Sequence, residues 1–270
     1  MVKITNFEFL TMSQDILKTK NLSIGYASKK EVLTIATDIS ISLNKGKLIT
    51  LIGGNGIGKS TLLRTLTALQ KPISGTVLLN DKDIFTYDNS ELAQQQSLVL
   101  TEKLPSSNLT VWELIALGRQ PYTNWIGSLS EEDIAKINTA IQLTNIEHLI
   151  EKKHHEISDG QLQKVLIARA LAQDTDLIIL DEPTTHLDLF HKVAVFKLLQ
   201  KLTHETGKCI LFSTHDLDLA IQLSDDMIVM TNEQTIQDLP CNLIEKGVFD
   251  SLFKDENIVF DKEKGKFIVK

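Results

Sequence analysis

The chain has 270 residues and a mass of 30.2 kDa, enough for one large domain or two small ones. Its 42 % hydrophobic content, with only five prolines, fits a folded protein with a sizeable core rather than a disordered or fibrous chain. A formal charge of −7 excludes the broadly basic surface that nucleic acid demands, so no nucleic-acid partner is expected.

The opening stretch, MVKITNFEFLTMSQD, carries polar residues through any would-be apolar centre and does not read as a secretory signal. No apolar run approaches the roughly eighteen residues of a membrane span. Cys209 and Cys241 lie far apart without metal-ligand spacing, as expected of free thiols in a reducing compartment. The chain is therefore expected in the cytoplasm or on the cytoplasmic face of a membrane. Residues 20 to 80 read mainly as strands: NLSIGY, ISISL, KLITLI and GTVLLN.

Between KLITLI and GTVLLN, the segment Leu51–Leu63 places Gly53, Gly54, Gly56 and Gly58 close together. Glycine weakens a strand or helix interior, so such a cluster implies a backbone that must approach something closely. The apolar run before it predicts a buried strand. The leucines at 62, 63, 66 and 69 predict a helix from Ser60 to Leu69. The frame Gly53-x4-Gly58-Lys59-Ser60 is that of a P-loop. Gly53, Gly54, Asn55, Gly56, Ile57, Gly58, Lys59, Ser60 and Thr61 are thus the expected phosphate-binding segment. Its backbone N–H groups form an anion nest at a helix N-terminus. Lys59 is expected to reach the β- and γ-phosphates, and the Ser60 hydroxyl to ligate Mg²⁺.

Residues 90 to 155 change character. The segments TVWELIALG and EEDIAKINTAIQLT have helical spacing and are expected to be broken by loops at Pro105 and Pro121. From residue 160 helices and strands alternate: QLQKVLIARALAQ, LIIL, KVAVFKLLQKLTHETG, CILFST, LDLAIQL and MIVM. The last thirty residues read as a C-terminal extension with a hairpin in IVFDKEKGKFIV. The fold class expected is α/β. A P-loop nucleotide-hydrolase core carries an N-terminal β-subdomain and an α-helical subdomain inserted at about 90–170. All of it forms a single domain over 1–270, with the extension at about 240–270.

The strand Leu177–Leu180 runs into two carboxylates, Asp181 and Glu182, with Pro183 fixing the turn after them. An acid at a strand end facing a P-loop suits the metal, which makes Asp181 its expected acceptor. Glu182 is expected to polarise the water that attacks the γ-phosphate. His215 leaves the same sheet edge after CILFST and is the expected γ-phosphate sensor.

With these motifs on the page, the chain resembles the ATP-binding subunit of an ABC transporter over roughly residues 18 to 240. The resemblance rests on the Walker A loop at 53–61, ISDGQ at 157–161, the Walker B strand at 177–182, the D-loop THLD at 185–188, and His215. It implies ATP and Mg²⁺ as ligands and two copies facing head to tail. Each ATP would lie between one copy's Walker A loop and the other's signature, so that Ser158, Gly160 and Gln161 act in trans. A helix opening at Leu162 would aim N–H groups at the γ-phosphate. The resemblance also implies that Asp188 belongs to the nucleotide site and that Tyr26 stacks on adenine.

Two positions depart from the family pattern. Asp159 stands where the signature usually has glycine, and a carboxylate there must point away from a triphosphate. Glu102 occupies the place of the usual Q-loop glutamine, Gln94, Gln95 and Gln96 coming too early; it is expected to ligate Mg²⁺. The stretch LTVWELIALGRQPY is similar to importers of iron–siderophores, haem and cobalamin. That likeness implies a homodimer, peripheral on the cytoplasmic face of the inner membrane. It would serve integral-membrane permease subunits fed by a substrate-binding protein. The alternatives are a soluble non-transport ABC-type ATPase and a regulatory ABC subunit with little hydrolysis. The intact Lys59, Asp181, Glu182 and His215 speak against the second.

Overall fold

The computed structural model describes residues 15–28, 31–100, 107–252, 258–262 and 265–269. From the N-terminus, β1 (Asp15–Ala27), β2 (Val32–Ile39) and β3 (Ser42–Asn44) lead into β4 (Leu48–Gly53). After the glycine loop come α1 (Lys59–Leu66), β5 (Ser74–Leu79), β6 (Lys82–Asp83), α2 (Asn89–Ala93) and β7 (Gln96–Val99). A helical insert follows, with α3 (Val111–Ala116), α4 (Glu131–Thr144) and α5 (Asp159–Ala172). The chain then alternates through β8 (Leu177–Leu180), α6 (Leu189–Thr206), β9 (Cys209–Ser213), α7 (Leu217–Leu223) and β10 (Asp226–Met230). It ends with β11 (Thr235–Asp238), α8 (Pro240–Glu245) and the hairpin β12 (Ile258–Asp261) and β13 (Lys266–Val269).

The central sheet has the order β11-β10-β4-β9-β8-β7 and is parallel except for the antiparallel edge strand β11. Its inner strands read as near-continuous apolar runs because both faces are covered. Alternate residues enter two different cores, as the two-residue period of a strand requires. Leu48, Ile178, Leu180, Ile210, Phe212, Met227 and Val229 face the core shared with the helices. Ile49, Leu51, Leu177, Ile179, Cys209, Leu211 and Ile228 face the other, shared with α1 and the antiparallel sheet β2-β1-β5-β6, where β3 also pairs with β1.

Register brings the carboxyl ends of these strands to one edge. Gly53 pairs with Met230, Leu51 with Ser213, and Leu180 with Phe212 and Val99. In open α/β sheets that edge is where ligands bind.

Several expected boundaries move. The helix after the P-loop ends at Leu66, because Thr67 caps it and Leu69 lies exposed beyond it. The run ISISL is broken, Ile39 closing β2 and Ser42 opening β3. No loop opens at Pro121: α3 tightens into a 3₁₀ segment, Leu117–Tyr122, that contains this proline. Pro105 lies outside the described residues. Arg119 of the 3₁₀ segment is buried, its Nε donating to Asp133 Oδ1 at 2.7 Å and its Nη1 to the Ala172 carbonyl at 2.8 Å. Asp133 also closes a capping box with Ser130 at the start of α4, so one carboxylate fixes two elements of the insert.

Candidate active site

The P-loop leaves β4 at Gly53 and enters α1 at Lys59. A Cβ on Gly53 would lie 2.7 Å from the Met230 carbonyl oxygen, so this glycine lets the loop pass the neighbouring strand end. Gly58 has φ +111° and a Cβ there would lie 2.6 Å from Ile35 Cγ2; both conformation and space demand glycine. Gly54 and Gly56 face open space, which leaves their backbone free for a ligand to approach. Asn55 is exposed, whereas Ile57 packs on the sheet's second core and anchors the loop. This concave backbone with a lysine inside it suits a polyphosphate.

Lys59 is only 6 % exposed, its Nζ donating to the Gly53 carbonyl at 3.0 Å and the Gly54 carbonyl at 3.2 Å. Burial holds its ammonium below the ordinary lysine range, and the nearby Glu182 and Asp181 offset part of that shift. The Ser60 hydroxyl reaches Asp181 Oδ1 at 3.5 Å. A hydroxyl and a carboxylate facing each other are hard oxygen donors of the kind Mg²⁺ takes beside substrate phosphates. The donor set fits. Mg²⁺ held by Ser60 and Asp181 would neutralise phosphate charge.

Glu182 follows with φ +46°, an uncommon backbone region for a residue that carries a Cβ. Its backbone N donates to Ser213 Oγ at 2.8 Å, and the same hydroxyl donates to Asp181 Oδ1 at 2.7 Å. Thr185 Oγ1 donates to Glu182 Oε2 at 2.9 Å, and His215 Nε2 lies 2.8 Å from Glu182 Oε1. The expected acid pair and histidine therefore converge at the strand ends beside Lys59. Ser213 escapes a sequence reading, since a serine ending an apolar strand looks like any polar terminus. Asp216 escapes it too: it accepts from Thr184 Oγ1 at 2.9 Å and Lys192 Nζ at 2.7 Å, tying the loop after β9 to that after β8.

Tyr26 lies near the end of β1, half exposed, with its hydroxyl 3.2 Å from Thr61 Oγ1 of the P-loop helix. Its register partner Leu33 and the next residue back, Val32, are also exposed, giving an apolar strip beside the P-loop that suits a planar base.

The signature residues form a second group. The helix opens at Asp159, not Leu162, because Ser158 is already its N-cap. Ser158 Oγ accepts from the Gln161 backbone N at 3.3 Å, and Gln161 Oε1 accepts from the Ser158 backbone N at 3.0 Å. Asp159 is exposed in the first turn, where a carboxylate complements the helix dipole. Gly160 is buried against His191. Asp188 caps α6, accepting from the His191 backbone N at 2.9 Å and lying 2.8 Å from its Nδ1. These hydrogen bonds hold its carboxyl below the usual carboxylate range. Among the described residues, none of these side chains is hydrogen-bonded to the P-loop of the same chain. Glu102 lies outside the described residues.

A P-loop beside a strand-end aspartate, a glutamate–histidine pair and a separate capped signature helix define a cassette-type ATPase. The chain matches the family model described as ABC transporter over residues 36–185, more than half its length, and it belongs to that family. It is 39 % identical over 240 residues to the achromobactin transport ATP-binding protein CbrD of Dickeya dadantii, covering 88 % of this chain and 87 % of that one. It is 37 % identical over 252 residues to the iron(3+)-hydroxamate import ATP-binding protein FhuC of Bacillus subtilis, covering 93 % and 92 %. Its fold matches a dimeric ATP-binding cassette solved in a post-hydrolysis state with ADP and Pi, at TM-score 0.70, 26 % identity, and 83 % and 98 % coverage.

Proposed function

We propose that two copies of this chain bind ATP–Mg²⁺ head to tail and drive uptake of an iron chelate through integral-membrane permease subunits. The observation that carries the reading is the convergence of Lys59, Asp181, Glu182 and His215 at one sheet edge, while Ser158, Gly160, Gln161 and Asp188 bond elsewhere. One chain holds both halves of a site but does not join them, so a second copy completes it. The names of the relatives, which speak of achromobactin and iron(3+)-hydroxamate, favour an iron–siderophore over haem or a corrinoid. No helix among the described residues is long and apolar enough to cross a membrane, in keeping with a peripheral subunit bound to a separate permease. Its place is the cytoplasmic face of the inner membrane, where ATP is supplied. A substrate-binding protein delivers the chelate from the other side. In this reading Glu102 contributes an oxygen to Mg²⁺.

Co-purification with the cognate permease, followed by reconstitution into vesicles, tests this reading. ATP-dependent accumulation of a radiolabelled ferric siderophore, abolished by Glu182→Gln, is the expected result. ATP turnover without any chelate movement in the complete complex would refute it.

A further inference from the structure

Two segments, the start of α5 and the D-loop before α6, are those that the head-to-tail reading aims at a partner's nucleotide. The side chain of His191 joins them. His191 Nδ1 lies 2.8 Å from Asp188 Oδ1, an oxygen that also accepts from the His191 backbone N at 2.9 Å. The ring is therefore folded over the cap of α6, although its side chain remains 46 % exposed. Its opposite edge abuts the signature helix: a Cβ on Gly160 would lie 2.8 Å from His191 Cδ2 and 3.3 Å from Cγ. Phe190 packs edge-on against the same ring, with centroids 5.6 Å apart and planes at 90°.

Gly160 does not have the left-handed backbone that usually explains a glycine. It is buried although its neighbours Ser158 and Asp159 are exposed. The imidazole occupies the space that a Cβ would take there. The ring thus touches the signature helix on one edge and is hydrogen-bonded to the D-loop aspartate on the other. The Asp188 bond is what holds this half-exposed ring against Gly160 when the helix shifts.

We propose that His191 is a positioning residue that makes the signature helix and the D-loop of one copy move as a single body. The proposal rests on the head-to-tail reading. When one copy closes on its partner's nucleotide, the ring carries the displacement of Gly160 to Asp188, and the two contact segments reach the partner together. Nucleotide held only by a copy's own P-loop does not involve this strut.

His191→Ala and His191→Asn, each made alone and with Glu182→Gln, test the proposal. Steady-state ATPase kinetics give kcat, a fluorescent ATP analogue gives affinity, and size-exclusion chromatography with ATP–Mg²⁺ reports pairing. His191→Ala is expected to lower kcat about tenfold, a loss the size of one charge-assisted hydrogen bond. Pairing in the Glu182→Gln background should weaken, while analogue affinity stays within about twofold. His191→Asn, which keeps an N–H donor in reach of Asp188, should recover most of the loss. Unchanged kcat and pairing in His191→Ala would overturn the proposal. So would a parallel fall of affinity, kcat and melting temperature without rescue by asparagine, which marks a merely structural residue. If the Glu182→Gln chain with His191 intact binds ATP but never pairs, the head-to-tail reading itself fails.

Discussion

His215 Nε2 lies 2.8 Å from Glu182 Oε1, although the two residues come from different strand ends and are 33 positions apart in sequence. The bond, with that from Thr185 to the other carboxylate oxygen, aims Glu182 from a backbone conformation that costs free energy. A carboxylate so constrained suits a base that must meet a water in one direction. Glu182→Gln is therefore expected to cut phosphate release at least about 100-fold, the range of a lost general base. ATP binding should survive, since Lys59 and the loop are untouched. His215→Ala should also lower turnover, by releasing the carboxylate. Near wild-type turnover by the glutamine variant would remove Glu182 from the catalytic role.

Lys59 carries a charge that folding disfavours. Burial lowers its affinity for a proton below the ordinary value of 10.5, only partly offset by Glu182 and Asp181. Between the lowered value and 10.5 the unfolded chain binds the proton that the folded chain has lost, so stability rises with pH across that window. Lys59→Met should thus be at least as stable as wild type at neutral pH, by urea unfolding, with the advantage shrinking as pH nears 10.5. The same variant should lose ATP affinity by roughly 10- to 100-fold, the size of a charge-assisted contact. ATP–Mg²⁺ should then no longer raise its melting temperature at concentrations that protect wild type.

In the proposed reading Tyr26 offers its ring, not its hydroxyl, to a base. The hydroxyl is near Thr61 Oγ1 at 3.2 Å, a long contact for two oxygens, while the ring is 50 % exposed next to Leu33. Base–aromatic stacking contributes about 1–3 kcal/mol. Tyr26→Ala should therefore weaken ATP binding by at least about fivefold by fluorescence titration. Tyr26→Phe should stay within about twofold. Equal weakening in both variants would mean that the hydroxyl, through Thr61, is the functional part.

The legible parts of the sequence were those where one physical demand acts on consecutive residues. Strands β4, β8, β9 and β10 are covered on both faces, so each reads as an apolar run. The P-loop must bring its backbone near phosphate, so its glycines cluster. Strand β2 lies at the rim of its sheet with most side chains exposed, and β11 is an edge strand half buried throughout. In both, threonine, aspartate or glutamine interrupts the apolar residues, and neither stands out as a strand in the sequence. Ser213 and Asp216 are hydrogen-bonded to residues on other elements, to which spacing along the chain gives no clue. Pro121 does not open a loop because a 3₁₀ turn tolerates the missing N–H that would break an α-helix.

Arg119 and Asp133 form an ion pair whose side chains are 5 % and 6 % exposed, inside the helical insert. The Arg119 guanidinium also stacks 4.0 Å from the Tyr122 ring centroid, so it is held both along its edge and on a face. Hydrogen bonds from the Ser130 side chain hold the Asp133 carboxyl below the usual range; burial opposes them, and Arg119 adds to them. Because the folded value is lowered, this stabilisation is fully present above the unfolded aspartate value near 3.8 and is lost as pH falls through the folded one. Asp133→Ala leaves a buried guanidinium without its counter-charge, which should cost about 3–5 kcal/mol. Its melting temperature at neutral pH should drop by several degrees. The gap to wild type should narrow as pH falls below 3.8, where the wild-type carboxyl takes up its proton. Measured by calorimetry across that range, a gap independent of pH would mean that packing around Tyr122, rather than the ion pair, holds the insert together.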